Sequence, residues 1–436
     1  MKIAVIGSGI SGLSCAHRLH QSHDVTVFEA APTIGGHTAT KDIVMDGERY
    51  AIDTGFIVFN DWTYPNFIRL MDSLQVKSKP TEMSFSVTCE STGLEYNGNN
   101  LNTLFAQRSN LVKPKFWGML RDIVRFNREA IADLEGGVIS ADASLGEYLQ
   151  TRGYGETFIK KYLVPMGSAI WSASIDTMKA FPLVFFIRFF KNHGLLSVNH
   201  RLQWRVIEGG SASYLKPLTE GFAEKIRTNC PVDGVLRTPD AVLVKLANGF
   251  VESFDEVVFA CHSDQALAIL DDVSDTEHSL LSTMRYQKNE VVLHTDTRLL
   301  PSRKLAWASW NYRLADEQGE QAVLTYNMNI LQGIDAPHTF CVTLNYTDHI
   351  REETVLGRYE YSHPVFTLDS VAACQRWSEI NGVNRTWFCG AYWANGFHED
   401  GCSSGLKVAD GIAAQHNQST QLDEEPAHEI EVVEND

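Results

Sequence analysis

Three glycines near the N-terminus have the spacing of a loop that holds a phosphate-bearing ligand. The hexapeptide Gly-Ser-Gly-Ile-Ser-Gly directly follows the apolar run Lys2–Ile6. In such a loop Gly7 permits a tight turn, Gly9 lets the backbone approach a pyrophosphate, and Gly12 lets the next helix pack on the strand. The first turn of that helix, which includes Ser11, offers amide groups and a positive dipole end to the phosphates. The pattern predicts a dinucleotide site.

A carboxylate at the end of the second strand narrows the choice of dinucleotide. The sequence predicts this strand at Asp24–Glu29, and Glu29 can accept hydrogen bonds from the ribose hydroxyls of adenosine. Ala30 and Ala31 follow, so no arginine stands where a 2′-phosphate would need one. NADP is therefore disfavoured, and the choice lies between NAD and FAD.

Two further segments favour FAD. Gly35, Gly36 and His37 come shortly after the ribose acid, and Thr54 and Gly55 follow another strand-like run. With the glycine hexapeptide, these segments resemble the flavin-containing amine oxidase superfamily, which includes protoporphyrinogen oxidases and phytoene-desaturase-like enzymes. The resemblance implies that the glycine pair lies along the FAD pyrophosphate. His37 stands where the superfamily usually has arginine.

The resemblance extends to the end of the chain. Val232 stands where the superfamily places backbone that contacts adenine, and two C-terminal segments resemble those that hold the ribityl chain and the flavin ring. A helix beginning near Ser403 would direct its N-terminus at the flavin C2 carbonyl. The residues that the resemblance assigns to FAD in these C-terminal segments are Gly390, Ala391, Gly401, Ser403 and Ser404.

Two departures from the superfamily pattern concern these C-terminal segments. Ala391 stands where the superfamily usually has Asp, so one ribityl contact must be lost or supplied elsewhere. The final motif is also shorter than usual, which leaves the register around Ser404 open. The chain has no cysteine in the context of covalent flavin attachment, so we expect non-covalent FAD. Cys389 and Cys402 are expected to be small packing residues.

A histidine between the two C-terminal motifs is the first candidate for catalysis. The segment Tyr392–Asp400 has both ends anchored by these motifs, which places it beside the flavin ring. His398 is the best candidate for a general base or proton relay, because the ordinary pKa of histidine lies near neutrality. The alternative is a histidine that only bonds a backbone carbonyl. Glu399 and Asp400 either orient His398 or cap the following helix.

Two more candidates belong to a strand predicted at Glu290–His294. The resembling oxidases often carry a lysine on such a strand, bonded through water to flavin N5, and Lys288 comes just before it. The alternative for Lys288 is a solvated lysine at the strand end. His294 is a further candidate, with a fully bonded core histidine as its alternative.

Aromatic residues are concentrated where the substrate would lie. Aromatic walls hold apolar substrates near a flavin and exclude water, although many such residues are ordinary core. The run Phe181–Phe190 is too short and too charged to span a membrane. It forms either a buried helix or a surface that contacts a bilayer or opens a lipid-sized tunnel. The candidates for substrate contact are Trp307, Trp310, Tyr312, Tyr326, Trp393 and Phe397.

The elements that must position these residues alternate between strands and helices at both ends of the chain. Helical patterns dominate residues 110–190, and strand patterns dominate residues 289–343. This layout predicts an α/β fold (α+β overall), with a Rossmann-like FAD-binding domain built from discontinuous segments and a mixed-sheet and helical substrate domain. The expected segments are 1–63, 204–265 and 385–416 for FAD, 64–203 and 266–384 for substrate, and 417–436 as an acidic, disordered tail.

The composition limits the function further. The 436 residues are 44% hydrophobic and 21% charged, as in a folded protein with a large core. With 37 Lys and Arg against 54 Asp and Glu, the formal net charge of −17 argues against a nucleic-acid surface. The eight cysteines are scattered and contain no C-x-x-C, so we expect neither a disulfide framework nor a metal site. The N-terminus does not resemble a secretory leader, and the expected location is the cytoplasm.

These patterns predict an FAD-dependent oxidoreductase that takes hydride from a C–H bond of a small apolar substrate. No second glycine motif follows a strand, so we expect electrons to pass to oxygen or an external acceptor. The C-terminal motif and Trp307–Tyr312 resemble bacterial members of the superfamily often encoded beside cyclopropane-fatty-acid synthases, which implies a lipid or fatty-acyl substrate. An amine oxidase is the alternative. A non-catalytic flavin-binding scaffold or redox sensor is the alternative of another class.

Overall fold

The structure is a computed structural model that describes residues 1–197, 202–315 and 323–424. Its strands are β1 (Lys2–Ile6), β2 (Asp24–Phe28), β3 (Thr40–Met45), β4 (Glu48–Asp53), β5 (Phe59–Asn60), β6 (Ser78–Thr81), β7 (Phe85–Cys89), β8 (Leu94–Asn97), β9 (Trp204–Ile207), β10 (Ile226–Arg227), β11 (Val232–Arg237), β12 (Val242–Leu246), β13 (Val251–Phe254), β14 (Glu256–Phe259), β15 (Arg285–His294), β16 (Trp310–Leu314), β17 (Val323–Asn327), β18 (Cys341–Leu344), β19 (Val355–Val365) and β20 (Thr386–Phe388). Its α-helices are α1 (Ile10–Leu19), α2 (Pro65–Ser73), α3 (Leu101–Leu104), α4 (Pro114–Glu135), α5 (Leu145–Thr151), α6 (Glu156–Phe158), α7 (Val164–Trp171), α8 (Ile175–Lys179), α9 (Leu183–Asn192), α10 (Leu215–Thr219), α11 (Ser263–Ile269), α12 (Asp275–Leu281), α13 (Met328–Leu331), α14 (Leu368–Cys374) and α15 (His398–Glu424).

A parallel sheet of five strands forms one half of the molecule, in the order β10-β2-β1-β14-β20. The central strand β1 is buried on both faces. Ile3 and Val5 pack with α1 and α15, whereas Ala4 and Ile6 pack with the antiparallel sheet β11-β12-β13. A strand covered on both faces is a continuous apolar run, which is why the sequence predicts it well.

A mixed sheet of seven strands forms the other half, in the order β19-β15-β18-β17-β16-β7-β8. Its neighbouring strands are antiparallel except for the parallel pair β16 and β7. One face packs against helices α4 to α9 in a large apolar cluster. The two sheets and the helical layer confirm the predicted α/β class with its mixed-sheet and helical part.

The two sheets draw on different parts of the chain. All five parallel strands lie within residues 1–63, 204–265 and 385–416, and all seven mixed-sheet strands lie within residues 64–203 and 266–384. The exact domain boundaries stay a prediction.

Helix α15 differs from its prediction at both ends. It begins at His398 instead of near Ser403, because the Asp400 carboxylate accepts the Phe397 amide hydrogen (2.9 Å) and caps the first turn. It extends to Glu424, so the helix continues into the segment expected to be a tail. Residues 425–436 of that segment lie outside the described residues.

The phenylalanine-rich run is core. Phe181, just before α9, and Phe186 and Phe190 within α9 are all buried in the apolar cluster of the helical layer. Only Arg188 in this run is exposed. The buried-helix alternative is therefore the observed one, and the run offers no apolar face to a bilayer. Within the described ranges, no helix has the combined length and apolarity needed to cross a membrane.

Candidate functional site

Three segments that are distant in sequence meet at the carboxyl end of β1. Gly9 precedes α1, and a Cβ added there would have no atom within 4 Å, so the space beside it is open. Gly36 approaches it so closely that a Cβ at Gly36 would lie 3.2 Å from the Gly9 Cα. A Cβ at Gly401 in α15 would lie 2.8 Å from Cγ2 of Ile10 in α1. The N-termini of two helices therefore converge beside exposed glycine backbone.

Further predicted cofactor residues surround the surface formed by Gly9 and Gly36, which we call the glycine surface. The Gly7 amide donates to the Phe28 carbonyl (2.8 Å), and the Gly35 amide donates to the Ser8 carbonyl (3.0 Å). Three others lie beside it: Gly12 packs against the Gly7 carbonyl, Gly55 against the His37 carbonyl, and Ser11 against Gly401.

Glu29 follows β2 beside the glycine surface. Its carboxylate accepts hydrogen bonds from the amides of Ser8 (3.0 Å) and Ala31 (2.8 Å). The Cys230 amide donates to the Glu29 carbonyl (2.9 Å), so the chain that leads to Val232 in β11 passes next to it. Ala30, which follows Glu29, is exposed. The predicted ribose acid and the predicted adenine strand are thus neighbours.

Asp53 is a buried carboxylate that was not among the predicted cofactor residues. It accepts hydrogen bonds from the Thr40 hydroxyl (2.6 Å), the Ser211 amide (2.9 Å) and Nε2 of Gln332 (2.9 Å). Burial raises its pKa to about 6, although these donors favour the ionised form. Asp53 fixes the position of Thr54, whose hydroxyl lies 2.8 Å from that of Tyr361 in β19. The acid that precedes the Thr-Gly pair was the available sequence signal.

His37 lies in the same region with an unpaired ring nitrogen. Its Nε2 atom is buried and makes no hydrogen bond with the part of the chain that the structure describes. The ring lies 5.5 Å from that of His363 and 5.2 Å from that of Tyr361. Burial, with His363 and His262 nearby, lowers the pKa of His37 to about 3, so the ring is neutral. An unpaired buried nitrogen of this kind suits a polar ligand.

Strand β15 turns Asn289 toward this region and Lys288 away from it. Asn289 is buried, and its Nδ2 lies 3.1 Å from Nδ1 of His363. The Lys288 side chain is 74% exposed and its ammonium pairs with Glu360 at 3.0 Å. Neighbouring residues of a strand face opposite sides, so the predicted lysine lies on the solvent side. The structure shows the alternative of a solvated lysine. Lys288 lies within β15 and not just before it, because the strand begins at Arg285 instead of Glu290.

His294 lies at the far end of β15 with both ring nitrogens bonded. Nδ1 accepts the Asp296 amide hydrogen (3.0 Å), and Nε2 lies 2.7 Å from the Thr343 hydroxyl. Burial lowers its pKa to about 4. No ring nitrogen is left for a substrate, which is the arrangement of the fully bonded core histidine.

His398 is enclosed by aromatic rings. It stacks on Phe56 with ring centroids 3.7 Å apart and meets Phe67 edge-on at 5.1 Å. Its Nε2 lies 2.8 Å from the Tyr214 hydroxyl. Burial, with His37 nearby, lowers the pKa of His398 to about 3, so the ring is neutral at neutral pH. This placement favours a structural part for His398, and its part in catalysis stays a prediction.

Glu399 and Asp400 cap helices, and neither bonds His398. Glu399 accepts the amide hydrogens of Asn66 (3.1 Å) and Phe67 (2.8 Å) at the start of α2. Asp400 caps α15, as described above, and burial raises its pKa to about 6. Of the two alternatives left open by the sequence, capping is the observed one. The helix that Glu399 caps is a different helix from the one expected.

The hydroxyl groups of the two C-terminal motif serines form hydrogen bonds with other residues of the chain. The Ser404 hydroxyl accepts the amide hydrogen of Gly390, the residue before Ala391, at 3.1 Å. The Ser403 hydroxyl donates to Glu399 (2.9 Å). All eight cysteines are free, and Cys389 and Cys402 are fully buried.

Three predicted substrate residues meet near the boundary of the mixed sheet and the helical layer. The rings of Trp310 and Tyr326 are perpendicular at 5.0 Å, and Tyr312 lies on the same face of the sheet. The Trp310 indole nitrogen is buried without a partner among the described residues. Phe397 enters the helical layer from the cofactor side and stacks on Phe189 at 5.0 Å. A cavity of about 670 Å³ opens beside Phe397, between the start of α2 and the end of α9.

Trp307 and Trp393 lie elsewhere. The Trp307 indole donates to the Pro301 carbonyl (2.8 Å). Trp393 packs with Tyr392 in the core between the parallel sheet and its antiparallel cover. The structure therefore separates these two residues from the aromatic group of Trp310 and Tyr326.

The arrangement at β1 fits FAD. Converging helix N-termini, the open backbone at Gly9 and the unpaired nitrogen of His37 suit a diphosphate, and Glu29 suits a ribose. A sequence profile described as flavin containing amine oxidoreductase matches residues 10–304. The chain belongs to this family. It is therefore an FAD-dependent oxidoreductase, as the sequence predicts.

Individual relatives of this flavin-containing amine oxidoreductase differ in their substrates. The present chain is 36% identical over 81 residues to 15-cis-phytoene desaturase of Synechococcus elongatus. This match covers 18% of the present chain and 16% of the desaturase. Cyclohexylamine oxidase from Brevibacterium oxydans IH-35A has a similar structure, with a TM-score of 0.66 and 16% sequence identity. The match covers 95% of the present chain and 99% of the oxidase. A CLA-producing fatty acid isomerase from P. acnes also has a similar structure, with a TM-score of 0.66 and 15% sequence identity. The match covers 94% of the present chain and 98% of the isomerase. The two structures show the shared fold.

Proposed function

We propose that this flavin-containing amine oxidoreductase oxidises a lipid or fatty-acyl chain and passes the electrons to oxygen or an external acceptor. When bound, the flavin supplies the redox chemistry by accepting hydride from the substrate C–H bond. The observation that carries the proposal is a set of half-buried aromatic side chains, Trp310, Tyr326 and Phe397, each of which packs against the apolar cluster of the helical layer. These side chains bind an alkyl chain and exclude water.

The carboxylates near Phe397 support an apolar substrate over an amine. Glu399 and Asp400 line the neighbouring cavity, and an ammonium group would need such a partner. Both carboxylates are already bonded to backbone amides at helix starts. An amine would have to break these bonds, whereas an alkyl chain would leave them in place. The phytoene desaturase and fatty acid isomerase relatives are consistent with this substrate class.

We also propose a contact between residues 101–128 and an anionic lipid bilayer, which would support the same substrate class. Residues 101–128 contain six Lys and Arg but one acid, the buried Asp122, in a chain of net charge −17. Large apolar side chains are exposed on the same stretch. Two of them are in contact, since the Trp117 indole donates to the Leu111 carbonyl (2.9 Å). Exposed apolar residues among cations suit anionic headgroups. The exposed apolar residues of this surface are Leu101, Leu111, Val112, Trp117 and Val124.

Vesicle binding tests this surface. We expect Val112→Glu to weaken co-sedimentation with vesicles that contain phosphatidylglycerol, because it places a negative charge in the exposed apolar group. Val44→Glu is the matched control, since Val44 is also exposed but lies on β3. Absence of wild-type binding, or equal loss in both variants, would refute the membrane contact.

Anaerobic reduction of the bound flavin tests the substrate. The FAD-loaded protein is mixed with free fatty acids, phospholipids or primary amines, and bleaching of the flavin absorbance is followed. We expect bleaching by a lipid, slowed at least about tenfold in Trp310→Ala by loss of substrate positioning. Trp307→Ala is the control and should behave as wild type. Bleaching by amines alone would establish the amine oxidase alternative, and no bleaching by either class would favour a flavin-binding scaffold.

A further inference from the structure

A lysine is buried at the boundary of the mixed sheet and the helical layer with a thiol as its partner. Lys161 is 8% exposed, and its ammonium nitrogen lies 2.8 Å from Sγ of Cys89, which is 1% exposed. Among residues 1–197, 202–315 and 323–416, no carboxylate forms an ion pair with Lys161. Glu156, in the preceding helix turn, is exposed and pairs with Lys160 at 2.7 Å.

The local backbone explains how Lys161 reaches this position. It lies in a π-helical turn at Ile159–Leu163, between α6 and α7. The extra residue of such a turn changes which side chains face inward, and π-turns are frequent at functional sites. The Tyr96 hydroxyl donates to the Lys161 carbonyl (2.5 Å) and holds the turn against β8.

The charge of Lys161 needs an anion. Burying an ammonium without a partner costs several kcal/mol, so a buried lysine is retained charged only beside a negative group. Burial alone raises the pKa of the Cys89 thiol, but Lys161, Ser91 and Thr92 outweigh it and lower that pKa to about 7. The contact therefore favours a thiolate at neutral pH.

Cys89 lies at the edge of the core, next to an exposed turn. Cys89 is the last residue of β7, and the exposed residues 90–93 form the turn directly above it. Its Sγ lies 3.3 Å from the Ser91 hydroxyl in that turn.

We propose that Cys89 and Lys161 form an ammonium–thiolate pair that is a site of reversible oxidation by hydrogen peroxide. The thiolate attacks one peroxide oxygen, an S–O bond forms and the O–O bond breaks. Sulfur loses two electrons to the peroxide, and the departing hydroxide takes the proton of the new sulfenic acid and leaves as water. The sulfenate that results keeps Lys161 as its counterion. This inference does not depend on the substrate of the flavin site.

The other cysteines provide an internal comparison. Burial raises the pKa of the Cys261, Cys374 and Cys402 thiols to about 12. Each of these sulfurs remains protonated at neutral pH and reacts slowly, because the thiolate is the nucleophile.

Peroxide treatment of the full-length, FAD-loaded protein tests the site. After a short pulse of hydrogen peroxide, the protein is unfolded into dimedone, and peptide mass spectrometry locates the sulfenic acid adducts. We expect the Cys89 adduct to exceed those of Cys261, Cys374 and Cys402 at least about tenfold, and a thiol reductant applied before dimedone to remove it. An equal or lower yield at Cys89 would overturn the proposal.

Two lysine variants identify the cause. Lys161→Met keeps the length of the side chain without its charge, and we expect Cys89 oxidation to fall to the level of the other buried cysteines. Lys160→Met removes the neighbouring half-buried lysine, which pairs with Glu156, and should leave Cys89 oxidation unchanged. Equal oxidation in both variants would overturn the role of Lys161.

The pH profile of wild-type oxidation keeps the test independent of folding of the Lys161 variant. We expect the rate of Cys89 oxidation to reach half its maximum near pH 7, in keeping with its lowered pKa. A half-maximum at about pH 8.5 or above, as for an unperturbed thiol, would overturn the ion pair.

Discussion

Glu399 is the link between α15 and α2 that a single substitution can test most directly. Its carboxylate accepts four hydrogen bonds, from the amides of Asn66 and Phe67 and from the side chains of Asn66 and Ser403. The residue is 8% exposed. Glu399→Gln keeps the size and shape but removes the charge and replaces one acceptor oxygen with an NH₂ group. Every group that faces this position in the wild type is a donor.

The expected loss of stability follows from these contacts. If the glutamine oxygen replaces Oε1, its NH₂ group faces the Phe67 amide, and one charge-assisted hydrogen bond worth about 1.5–3 kcal/mol is lost. The favourable interaction of the anion with the N-terminus of α2 contributes about 0.3–1 kcal/mol more. We therefore expect Glu399→Gln to lower the free energy of unfolding by about 2–4 kcal/mol.

Urea unfolding followed by circular dichroism measures this loss. Glu360→Gln is the control, because Glu360 is an exposed glutamate whose pair with Lys288 should contribute less than about 1 kcal/mol. Equal urea midpoints for the two variants would show that Glu399 does not hold α2, and the account of this contact would fail.

Three further predictions concern the cofactor site and the two strand candidates. Gly9→Asp should fold normally, because the space beside Gly9 is open. The variant should nevertheless purify without the flavin absorbance, since its carboxylate repels the diphosphate. A yellow variant would contradict this prediction. Lys288→Met should reduce its flavin with substrate as fast as wild type, since Lys288 is exposed; a tenfold slower rate would place it in the mechanism. The folded-state pKa of His294 is about 4, below the usual 6.5, so the unfolded state binds its proton first as pH falls. Urea midpoints should therefore drop from pH 7 to pH 5, with about 2 kcal/mol of the loss absent in His294→Asn; an unchanged slope would refute this.

The cofactor half of the site could be predicted because its signals are local. Glycine spacing, a buried strand and a terminal acid are all read within the first 29 residues, and β1 has the predicted bounds. The glycines Gly9 and Gly36 then meet in space as expected, and a Cβ at Gly36 would lie only 3.2 Å from the Gly9 Cα.

The substrate half could be predicted less well because its side-chain directions depend on register and long-range packing. The strand expected at Glu290 begins at Arg285, which places Lys288 inside β15 with its side chain toward solvent and Asn289 toward His363. Adjacent residues of a strand face opposite sides, so the choice between Lys288 and Asn289 depends on which face of β15 is buried. The capping of α2 by Glu399 joins segments more than 300 residues apart and has no local signal.

Buried polar contacts join the two halves of the molecule beside the predicted cofactor site. Asp53 connects the turn before Thr54 to Ser211 and Gln332, and Thr54 contacts Tyr361 in the mixed sheet. Buried polar contacts of this kind add little net stability but define one geometry, because any alternative leaves a donor or acceptor unpaired. Hydride transfer requires reacting atoms about 3–3.5 Å apart, so a small shift between the halves is enough to slow it. Asp53→Asn should therefore slow flavin reduction by substrate more than it weakens FAD binding. The opposite order, loss of FAD with an unchanged rate in the loaded fraction, would assign Asp53 to the cofactor alone.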